Sequence, residues 1–396
     1  MKILVVCQYY DPEPARIADI SAALVRRGHE VSVVTGTPNY PEGEIYPGYE
    51  GDEHRDETLH GVRVHRCPIH PRHRGAVHRL WNYLSFVWAS NRYLRTVRED
   101  FDVVLVNQLS PVMMGDAAVR WAKRHGKKVV LYCLDLWPES LKVGGIREGS
   151  PAFRLFWHWS RWIYRGCSEI LMTSRGFEPY FRETLRLPEA KLGYLPQYAE
   201  DLFADIPAVT AHEPPYRFLF AGNIGELQSV ETIVVAAKLL RDDHRIHIDI
   251  VGGGISLERC QSLGAGLPNL TFHGRRDVTE MPGFYAQADA MLITLGKEPT
   301  LSLTLPGKVQ SYLSAGRGVV GAIDGETPLV LSEGQCGVCV PAEDAEGLAN
   351  AMRELADHPD RFTAWGQNAR TFYGQHFRKE VFLDTLEQAL HRNCVK

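Results

Sequence analysis

Short apolar runs and helical stretches alternate along the first half of the chain. Continuous apolar runs occur at positions 3–7, 31–35, 103–107, 128–133 and 169–173. Helical stretches are predicted between them, at about 15–27, 113–125 and 177–185. Runs without polar alternation are typical of strands that are covered on both faces, as in a parallel sheet. The alternation therefore predicts a series of β-α-β units, the pattern of a doubly wound α/β domain.

The same pattern starts again in the second half. Strands are predicted at 217–221, 246–251, 270–272, 290–293, 318–320 and 337–340, and helices at 230–240, 281–287, 308–315 and 345–355. The stretch between the two halves contains several prolines and has no period, which indicates a linker at 197–215.

The predicted organisation is two Rossmann-like domains, 1–196 and 216–376, followed by a helix at 377–396 that we expect to pack on the first domain. Doubly wound sheets bind ligands at the carboxyl ends of their strands. We therefore expect the two domains to face each other across a cleft that holds the site.

The composition limits the classes of partner and the cellular location that we expect for the protein. The chain has 396 residues and a net charge of −4, which argues against a nucleic-acid partner because such proteins are usually strongly basic. Its 8 cysteines are scattered, which predicts reduced thiols and a cytoplasmic location. No apolar run approaches the roughly 20 residues that span a bilayer. Any membrane contact is therefore expected to be peripheral, on the inner face of the membrane.

Two common nucleotide motifs are absent. The first apolar run is followed by QYYDPEP, without the G-x-G-x-x-G of nicotinamide-binding domains, and no G-K-[ST] occurs. The triple glycine at 252–254 follows an inner strand and is interpreted as a tight turn between strand and helix.

Two other segments suit a bound phosphate. The loop G-N-I-G at 222–225 joins a strand to a helix, where glycines let backbone N–H groups approach an anion, although plain turn chemistry explains it equally well. Lys308 follows Pro306 and Gly307 in the first turn of a predicted helix. A cation there opposes the helix dipole unless an anion is bound, and the alternative is a solvated surface lysine.

Candidate metal ligands are few. Cys336 and Cys339 form a lone C-x-x-C without the second pair that a zinc site needs, so we interpret them as small core residues. His70, His73 and His78 lack a matching acidic or cysteine cluster and indicate a basic surface. No metal site is predicted.

Five segments carry a resemblance to a known family. They read MKILVVCQYYDPEPARIADISAALVRRGHEVSVVTGTPNYPEG, LDLWPESL, AGNIGELQSVETI, GRRDVTEMPGFYAQADAMLITL and LPGKVQSYLSAG. The chain resembles the retaining family 4 glycosyltransferases of GT-B architecture, and within them the WbuB-like fucosamine-transferase branch. The resemblance implies a nucleotide-diphosphate sugar as donor, which we expect to be UDP-linked, with no metal and no other cofactor. It also implies a lipid-linked or small-molecule acceptor.

The resemblance also implies site residues. Those near the donor diphosphate would be Gly222, Asn223, Ile224, Gly225 and Gln228, with Leu305, Pro306, Gly307 and Lys308 around phosphate and sugar. Gly274 and Arg275 would lie near the base, and Gln310 and Ser311 near the ribose. Asp135 and Lys308 would act at the reacting centre. The acceptor would meet Tyr9, Tyr10, Arg16, Asn39, Tyr40 and Asn107.

The sequence departs from the family at several of these positions. Two glutamates of many relatives align with Leu303 and Ser311, and two cations are missing around Asn223 and Gln228. More of the diphosphate charge would then fall to Lys308, Arg275 and Arg276. The alternatives left open are a sugar-nucleotide epimerase or hydrolase, a natural-product glycosyltransferase and an inactive sugar-nucleotide-binding protein.

Basic and aromatic residues are interleaved in two segments of the first half. The segment 70–98 holds Arg72, Arg74, Arg79, Arg92, Arg95 and Arg98 among Trp81, Tyr83, Phe86, Trp88 and Tyr93. The segment 153–165 reads FRLFWHWSRWIYR. This combination predicts docking on an anionic membrane surface. The alternative is that the aromatic residues pack a core or an acceptor pocket.

Overall fold

A computed structural model describes residues 1–73, 75–143 and 146–395. The chain forms two compact units. Unit 1 comprises Met1–Thr173, Phe177–Leu195 and Leu383–Lys396, and unit 2 comprises Ser174–Gly176 and Pro196–Phe382. Each unit contains one sheet.

The sheet of unit 1 has eight strands. They are β1 (Lys2–Val6), β2 (Glu30–Gly36), β3 (Asp56–Leu59), β4 (Val62–Cys67), β5 (Val103–Gln108), β6 (Val129–Cys133), β7 (Glu169–Met172) and β8 (Leu192–Tyr194). Their order is β3-β4-β2-β1-β5-β6-β7-β8. All neighbours are parallel except β3 and β4, which form an antiparallel hairpin at one edge. The order reverses direction between β1 and β5, so the sheet is doubly wound.

The helices that precede β7 are α1 (Ile17–Arg26), α2 (Ala76–Leu94), α3 (Asp116–His125), α4 (Ser140–Val143) and α5 (Pro151–Gly166). The stretch predicted as a helix at 177–185 is helical but irregular. A 3-10 turn at Arg175–Phe177 leads into a π-helix at Tyr180–Thr184, and Arg186 follows with a left-handed φ of 53°.

The sheet of unit 2 has six strands, all parallel. They are β9 (Tyr216–Ala221), β10 (Ile246–Val251), β11 (Leu270–Gly274), β12 (Ala290–Thr294), β13 (Gly318–Ala322) and β14 (Gly337–Val340). Their order, β11-β10-β9-β12-β13-β14, is that of the Rossmann fold, with its switch point between β9 and β12. Two Rossmann-like parallel α/β domains, as predicted, are confirmed.

The remaining helices are α6 (Glu231–Leu239), α7 (Leu257–Leu263), α8 (Met281–Gln287), α9 (Pro299–Ser302), α10 (Gly307–Ser314), α11 (Glu326–Glu333), α12 (Ala345–Asp357), α13 (Asp360–His376) and α14 (Lys379–Arg392). Helices of this group other than α14 cover both faces of the sheet. Phe218 and Phe220 of β9 belong to one buried cluster, and Leu219 and Ala221 belong to the other. This two-sided burial explains why the strands are unbroken apolar runs.

The stretch predicted as a linker, 197–215, is part of unit 2. Phe203 and Ile206 are buried in one of its hydrophobic clusters. The buried guanidinium of Arg317 donates to the carbonyl oxygen of Pro207 over 2.9 Å. The stretch has no period because it is extended and is held through individual side chains and carbonyl groups.

Most of α14 packs in unit 1, from Leu383 onward rather than from residue 377. Arg27 pairs with Asp384 at 2.6 Å and with Glu387 at 2.9 Å. At the other end of the helix, Arg392 and Asn393 donate to the carboxylate of Glu169, each over 2.6 Å.

Candidate functional site

The carboxyl ends of β9, β10 and β11 surround a cavity of about 530 Å³ in unit 2. Its wall is formed by two glycine-containing turns, by Arg275 and Arg276 after β11, and by Tyr285 of α8. Among the described residues that line it, none is acidic. The cavity therefore suits an anionic ligand at the edge of the sheet where doubly wound folds bind theirs.

The two turns approach each other more closely than side chains would allow. A Cβ atom on Gly252 would lie 1.8 Å from the carbonyl oxygen of Gly222, and one on Gly254 would lie 2.4 Å from that of Ile224. Gly222, Gly252 and Gly254 have positive φ, between 142° and 155°. The triple glycine is thus a turn, as interpreted, but it is also a wall of the cavity. Its position directly after an inner strand was the signal that the sequence analysis left unused.

Lys308 is the second residue of α10 and lies under the Gly222 turn. Its Nζ atom is buried and has no hydrogen-bond partner among the described residues. The atom lies 4.1 Å from the ring centroid of Phe220. Burial lowers the pKa of this ammonium group to about 8. The alternative of a solvated surface lysine is therefore wrong, and a buried cation without a partner calls for an anion.

The other predicted donor residues, Asn223, Ile224, Gln228 and Leu305, shape the site mainly by holding their loops in place. Ile224 and Leu305 are buried in the hydrophobic clusters of unit 2, where they anchor their loops. Gln228 Oε1 accepts from Asn223 Nδ2 at 2.9 Å and from the N–H of Gly225 at 3.2 Å. The turn therefore uses Ile224, Leu305 and Gln228 for its own packing and hydrogen bonds, whereas the exposed Asn223 lines the cavity.

Pro306 and Gly307 start α10, as predicted, and Gln310 closes its first turn. With its nitrogen turned toward the helix start, the Gln310 amide donates to the carbonyl oxygens of Gly307 at 3.0 Å and Pro306 at 3.1 Å. Ser311 Oγ donates to Glu200 Oε2 at 3.1 Å. Glu200 brings a carboxylate to a position where the sequence alone shows none, from a segment more than a hundred residues away.

Gly274 ends β11 with a φ of 69°. Its carbonyl oxygen accepts the N–H of Gly252 at 2.9 Å, so it supports the turn that forms the cavity wall. The two residues that follow it, Arg275 and Arg276, line the cavity themselves. Arg276 also donates to the carbonyl oxygen of His273 at 3.1 Å, which holds its stem in place.

In unit 1, the predicted acceptor residues follow β1 and β2. The rings of Tyr9 and Tyr40 lie 5.1 Å apart, and the guanidinium of Arg72 lies 5.1 Å from the Tyr40 centroid. Tyr40 is 36% exposed, whereas Tyr9, Tyr10, Asn39 and Asn107 are buried. The structure therefore brings together Tyr9, Asn39 and Tyr40. The predicted Arg16 precedes α1 and is half-buried.

Glu13 joins the two loops and was missed by the sequence analysis. Its carboxylate accepts the backbone N–H groups of Asn39 and Tyr40, each at 2.8 Å, and of Tyr10 at 3.1 Å. The side chain is buried, and burial raises its pKa to about 7. An acidic residue in the D-P-E-P segment after the first strand was the available signal.

A network of buried amides lies beside Glu13. Gln8 Nε2 donates to Asn82 Oδ1 at 2.6 Å. Asn82 Nδ2 in turn donates to the carbonyl oxygen of His70 at 2.7 Å and to Asn39 Oδ1 at 3.3 Å. The network connects α2 to the loops after β1 and β2.

Asp135 follows β6 at the same edge of the sheet. The hydroxyl of Ser110, which follows β5, donates to its carboxylate. Gln108 Nε2 donates to the Asp135 carbonyl oxygen at 2.6 Å. Burial raises the pKa of the carboxyl group above its ordinary value. Asp135 is thus a held, half-buried acid, and its catalytic role stays a prediction.

The basic and aromatic segments form helices α2 and α5, with α3 between them. Trp81 is 59% exposed, Trp88 63% and Leu155 63%. The only acidic residue in these three helices is Asp116, which is buried and accepts from Trp159 Nε1 at 2.8 Å. The exposed side of this layer is therefore apolar and cationic.

Part of each segment instead follows the alternative interpretation. Phe86, Phe153, Ile163 and Tyr164 are buried in unit 1. Arg72 contacts Tyr40, and Arg74 lies outside the described residues. In the described part of the chain, no helix is both long and apolar enough to cross a bilayer.

The histidines of the first segment lie together. His70 Nε2 and His78 Nδ1 are 3.0 Å apart, and His73 pairs with Glu44 at 2.9 Å. Within the described ranges, no group of three or more potential ligands is arranged to hold a metal ion. Cys336 is buried beside β14, and Cys339 lies in that strand.

Comparison with known proteins agrees with both units. Residues 14–197 match the glycosyl transferase 4-like domain, and residues 215–358 match the glycosyl transferases group 1. The chain is similar to WcaI of Escherichia coli (strain K12), named as a colanic acid biosynthesis glycosyl transferase. The two are 26% identical over an alignment of 385 positions that covers 89% of this chain and 92% of WcaI.

Solved structures share the fold. Sucrose-phosphate synthase from Thermosynechococcus elongatus superposes with a TM-score of 0.74 at 17% identity, covering 99% of this chain and 98% of that one. HepE of Anabaena, in complex with UDP and glucose, gives a TM-score of 0.68 at 13% identity, with 99% of both chains covered. The two domain families, the full-length relative and the paired Rossmann-like units identify the chain as a member of the GT-B glycosyltransferases.

Proposed function

We propose that the protein transfers a hexose or N-acetylhexosamine from a UDP-linked donor, with retention of configuration, to a lipid-linked saccharide during surface polysaccharide synthesis. The observation that carries the donor assignment is the buried, unpartnered ammonium of Lys308 under the Gly222 turn. The donor class is supported by HepE, whose structure holds UDP and glucose, and the pathway class by the name of WcaI.

The donor cavity matches the chemistry of a diphosphate. Glycine turns expose backbone N–H groups, and the start of α10 adds a favourable dipole. Lys308, Arg275 and Arg276 supply positive charge where the bond from the sugar to the diphosphate breaks. Charge that develops on the leaving diphosphate is stabilised by such preorganised groups, which is often the largest catalytic contribution.

Two further groups of the reaction, the ribose hydroxyls and the proton of the acceptor hydroxyl, also need partners. The Glu200 carboxylate, held by Ser311, accepts hydrogen bonds from the ribose hydroxyls. In a retaining front-face reaction the leaving phosphate takes the proton of the acceptor hydroxyl, so no side-chain base is needed. Asp135 then orients groups at the reacting centre or stabilises their charge.

The test is a thermal-shift panel of UDP-, GDP- and dTDP-sugars, because selective binding raises the unfolding temperature by mass action. Donor hydrolysis is then measured with and without a lipid-diphosphate-linked monosaccharide. A transferase turns over faster with the acceptor and forms a disaccharide. Turnover without any acceptor dependence would indicate a hydrolase or epimerase, and binding without turnover would indicate an inactive binding protein.

We further propose that the exposed side of α2, α3 and α5 docks on anionic lipid, which would bring the enzyme to its acceptor. Trp81, Trp88 and Leu155 suit the interfacial region, and the surrounding cations suit the headgroups. The positive face coexists with the net charge of −4 because the acidic residues lie elsewhere.

Docking is tested by sedimentation with phosphatidylglycerol vesicles. Arg79, Arg92 and Arg154 are exposed on this face, and their joint change to Ser should weaken binding about 100-fold at low salt, from about 1 kcal/mol for each arginine. A matched variant changes Arg241, Arg259 and Arg378, which are exposed in unit 2. No binding of the unmodified protein at low salt, or equal loss in both variants, would contradict docking.

A further inference from the structure

The carboxylate of Glu13 accepts backbone N–H groups of both the loop after β1 and the loop after β2. The side chain of Asn82 also joins these loops, through the amides of Gln8 and Asn39. One oxygen, Oε1, accepts from Asn39 and Tyr40, and the other, Oε2, accepts from Tyr10. Glu13 is 3% exposed, and the three donors are backbone N–H groups. One carboxylate therefore binds backbone groups of both loops, in addition to the backbone hydrogen bond that the N–H of Gly36 donates to the carbonyl oxygen of Gln8 at 3.1 Å.

The arrangement needs the ionised carboxylate. Three N–H donors are satisfied by an anion with two acceptor oxygens, whereas a protonated carboxyl group presents an O–H donor toward one of them. Protonation therefore breaks at least one of the bonds that join the loops.

Opposing effects of the surroundings determine the pKa of Glu13. The groups that act electrostatically on Glu13 are Arg66 on β4, Cys7 and Tyr9 after β1, and Tyr46 after β2. Burial raises the pKa of Cys7 to about 12 and that of Tyr9 still higher, so both are neutral near pH 7. Arg66 is charged but is paired with Glu57 at 2.6 Å. Desolvation and three hydrogen bonds therefore oppose each other, and the pKa of Glu13 is about 7.

We propose that Glu13 is a positioning residue whose ionised carboxylate sets the geometry of the acceptor pocket, so that acceptor binding weakens as the pH falls below neutrality. The inference rests on the proposed function for the statement that this pocket binds the acceptor. The pocket surface that moves with the loops is the exposed ring of Tyr40, which contacts the tilted ring of Tyr9 and the guanidinium of Arg72.

The first experiment needs no substrate. Hydrogen exchange of the whole protein, read by mass spectrometry, compares peptides that contain Tyr10 and 39–40 between pH 6 and pH 8, after correction for intrinsic rates. Protection of both loops should rise with pH in the unmodified protein. In Glu13→Gln it should be about tenfold lower at pH 8 and independent of pH, as expected for a lost hydrogen bond to a charged group.

The matched control is Glu42→Gln, which makes the same chemical change at an exposed glutamate in the loop after β2. It should leave the protection and its pH dependence unchanged. Unaltered protection of both loops in Glu13→Gln, or loss of protection across β1 and β2 as well, would overturn the positioning role.

The second experiment is kinetic and uses a lipid-diphosphate-linked monosaccharide as acceptor. The acceptor KM of the unmodified enzyme should fall as the pH rises from 6 to 8, and Glu13→Gln should have a high acceptor KM at both values with an unchanged donor KM. A parallel rise of both KM values would contradict the inference. Failure of the unmodified enzyme to transfer sugar would refute the proposed function alone, because the exchange experiment still decides whether Glu13 holds the loops.

Discussion

The pockets of the two units are built from different materials. The wall of the unit 2 cavity is mainly backbone, since Gly222, Gly252 and Gly254 leave no room for side chains, and its charge comes from a few cations. The loops of unit 1 are instead positioned by buried side chains, Glu13 and Asn82 among them. A backbone wall suits a diphosphate, which is common to all nucleotide sugars, whereas a network of side chains can be altered residue by residue to suit one acceptor.

The largest expected effect is on the chemical step in unit 2. Lys308→Ala should lower kcat by about 10²–10³, or roughly 3–4 kcal/mol, as for the loss of a preorganised charge-stabilising group. The unfolding temperature should not fall, because the change removes a buried charge without a partner. Steady-state transfer assays measure the first effect and calorimetric scans the second.

The control for this change is Lys238→Ala, at an exposed lysine of α6. It should keep the full rate. A near-normal kcat in Lys308→Ala would remove this cation from the mechanism and leave the charge of the cavity to the two arginines.

The second expected effect separates stability from donor binding. Asn82→Ala removes the hydrogen bonds of Asn82 with Gln8, Asn39 and the carbonyl oxygen of His70, which should lower the free energy of unfolding of unit 1 by about 2–3 kcal/mol. Among the 8 tryptophans only Trp365 is in unit 2, so urea unfolding followed by tryptophan fluorescence reports mainly on unit 1. The UDP dissociation constant should stay unchanged.

Asn350→Ala, at an exposed position of α12, serves as the control for Asn82→Ala and should be neutral. Weaker UDP binding in Asn82→Ala would show that the amide network of unit 1 also affects donor binding.

A smaller effect is expected from the glycine wall. Gly252→Ala places a Cβ atom 1.8 Å from the Gly222 carbonyl oxygen, so the turn must move. UDP affinity, measured by calorimetry, should fall about tenfold, which corresponds to about 1.4 kcal/mol. Gly266→Ala is the control, because Gly266 also has a positive φ, 77°, but nothing lies within 4 Å of its Cβ position. Equal affinities in the two variants would mean that the shape of the glycine wall does not determine UDP binding.

The smallest effect is a dependence on pH. The pKa of Lys308 is about 8, so the cation is present at pH 7 and is lost as the pH rises. UDP affinity should fall about fourfold between pH 7 and pH 8.5, with uptake of up to one proton on binding at the higher pH. Calorimetry in buffers of different ionisation enthalpy measures the uptake. Lys308→Met should abolish it, and uptake that persists in this variant must come from another group.

The same lysine affects stability in the opposite direction. Its pKa is lower in the folded state than in the unfolded state, so the unfolded chain binds more protons between the two values. Stability of the empty protein should therefore rise as the pH increases above about 8.

The sheet of unit 2 could be predicted from the sequence because its strands are buried on both faces. The run 246–251 and the helix 281–287 were predicted with the bounds that the structure shows. The hairpin of β3 and β4 was not, because β3, with the sequence DETL, lies at an edge and has no apolar run. An exposed edge strand leaves little periodicity in the sequence.

Only those residues of the donor site that lie in local sequence motifs were predicted. Lys308 and Arg275 lie in segments that carry their own signal. The contacts of Glu200 with Ser311 and of Arg317 with Pro207 join residues that are about 110 positions apart. Such pairs depend on how the whole chain folds, so they cannot be predicted from helix or strand propensity or from the spacing of residues. Glu13 is closer in sequence to its partners, but its role follows from burial and backbone donors, which a residue type does not reveal.

The path of the chain through the two units has a consequence for how the protein is made. Glu169 and Arg27 find their partners on α14, in a part of the sequence that follows all of unit 2. A ribosome therefore releases every strand of unit 1 long before the helix that completes its surface. During translation unit 2 has all of its sequence before unit 1 does, which reverses the usual order in which amino-terminal domains finish first. The contacts of Arg27 and Glu169 with α14 can therefore form only after the whole of unit 2 has been synthesised.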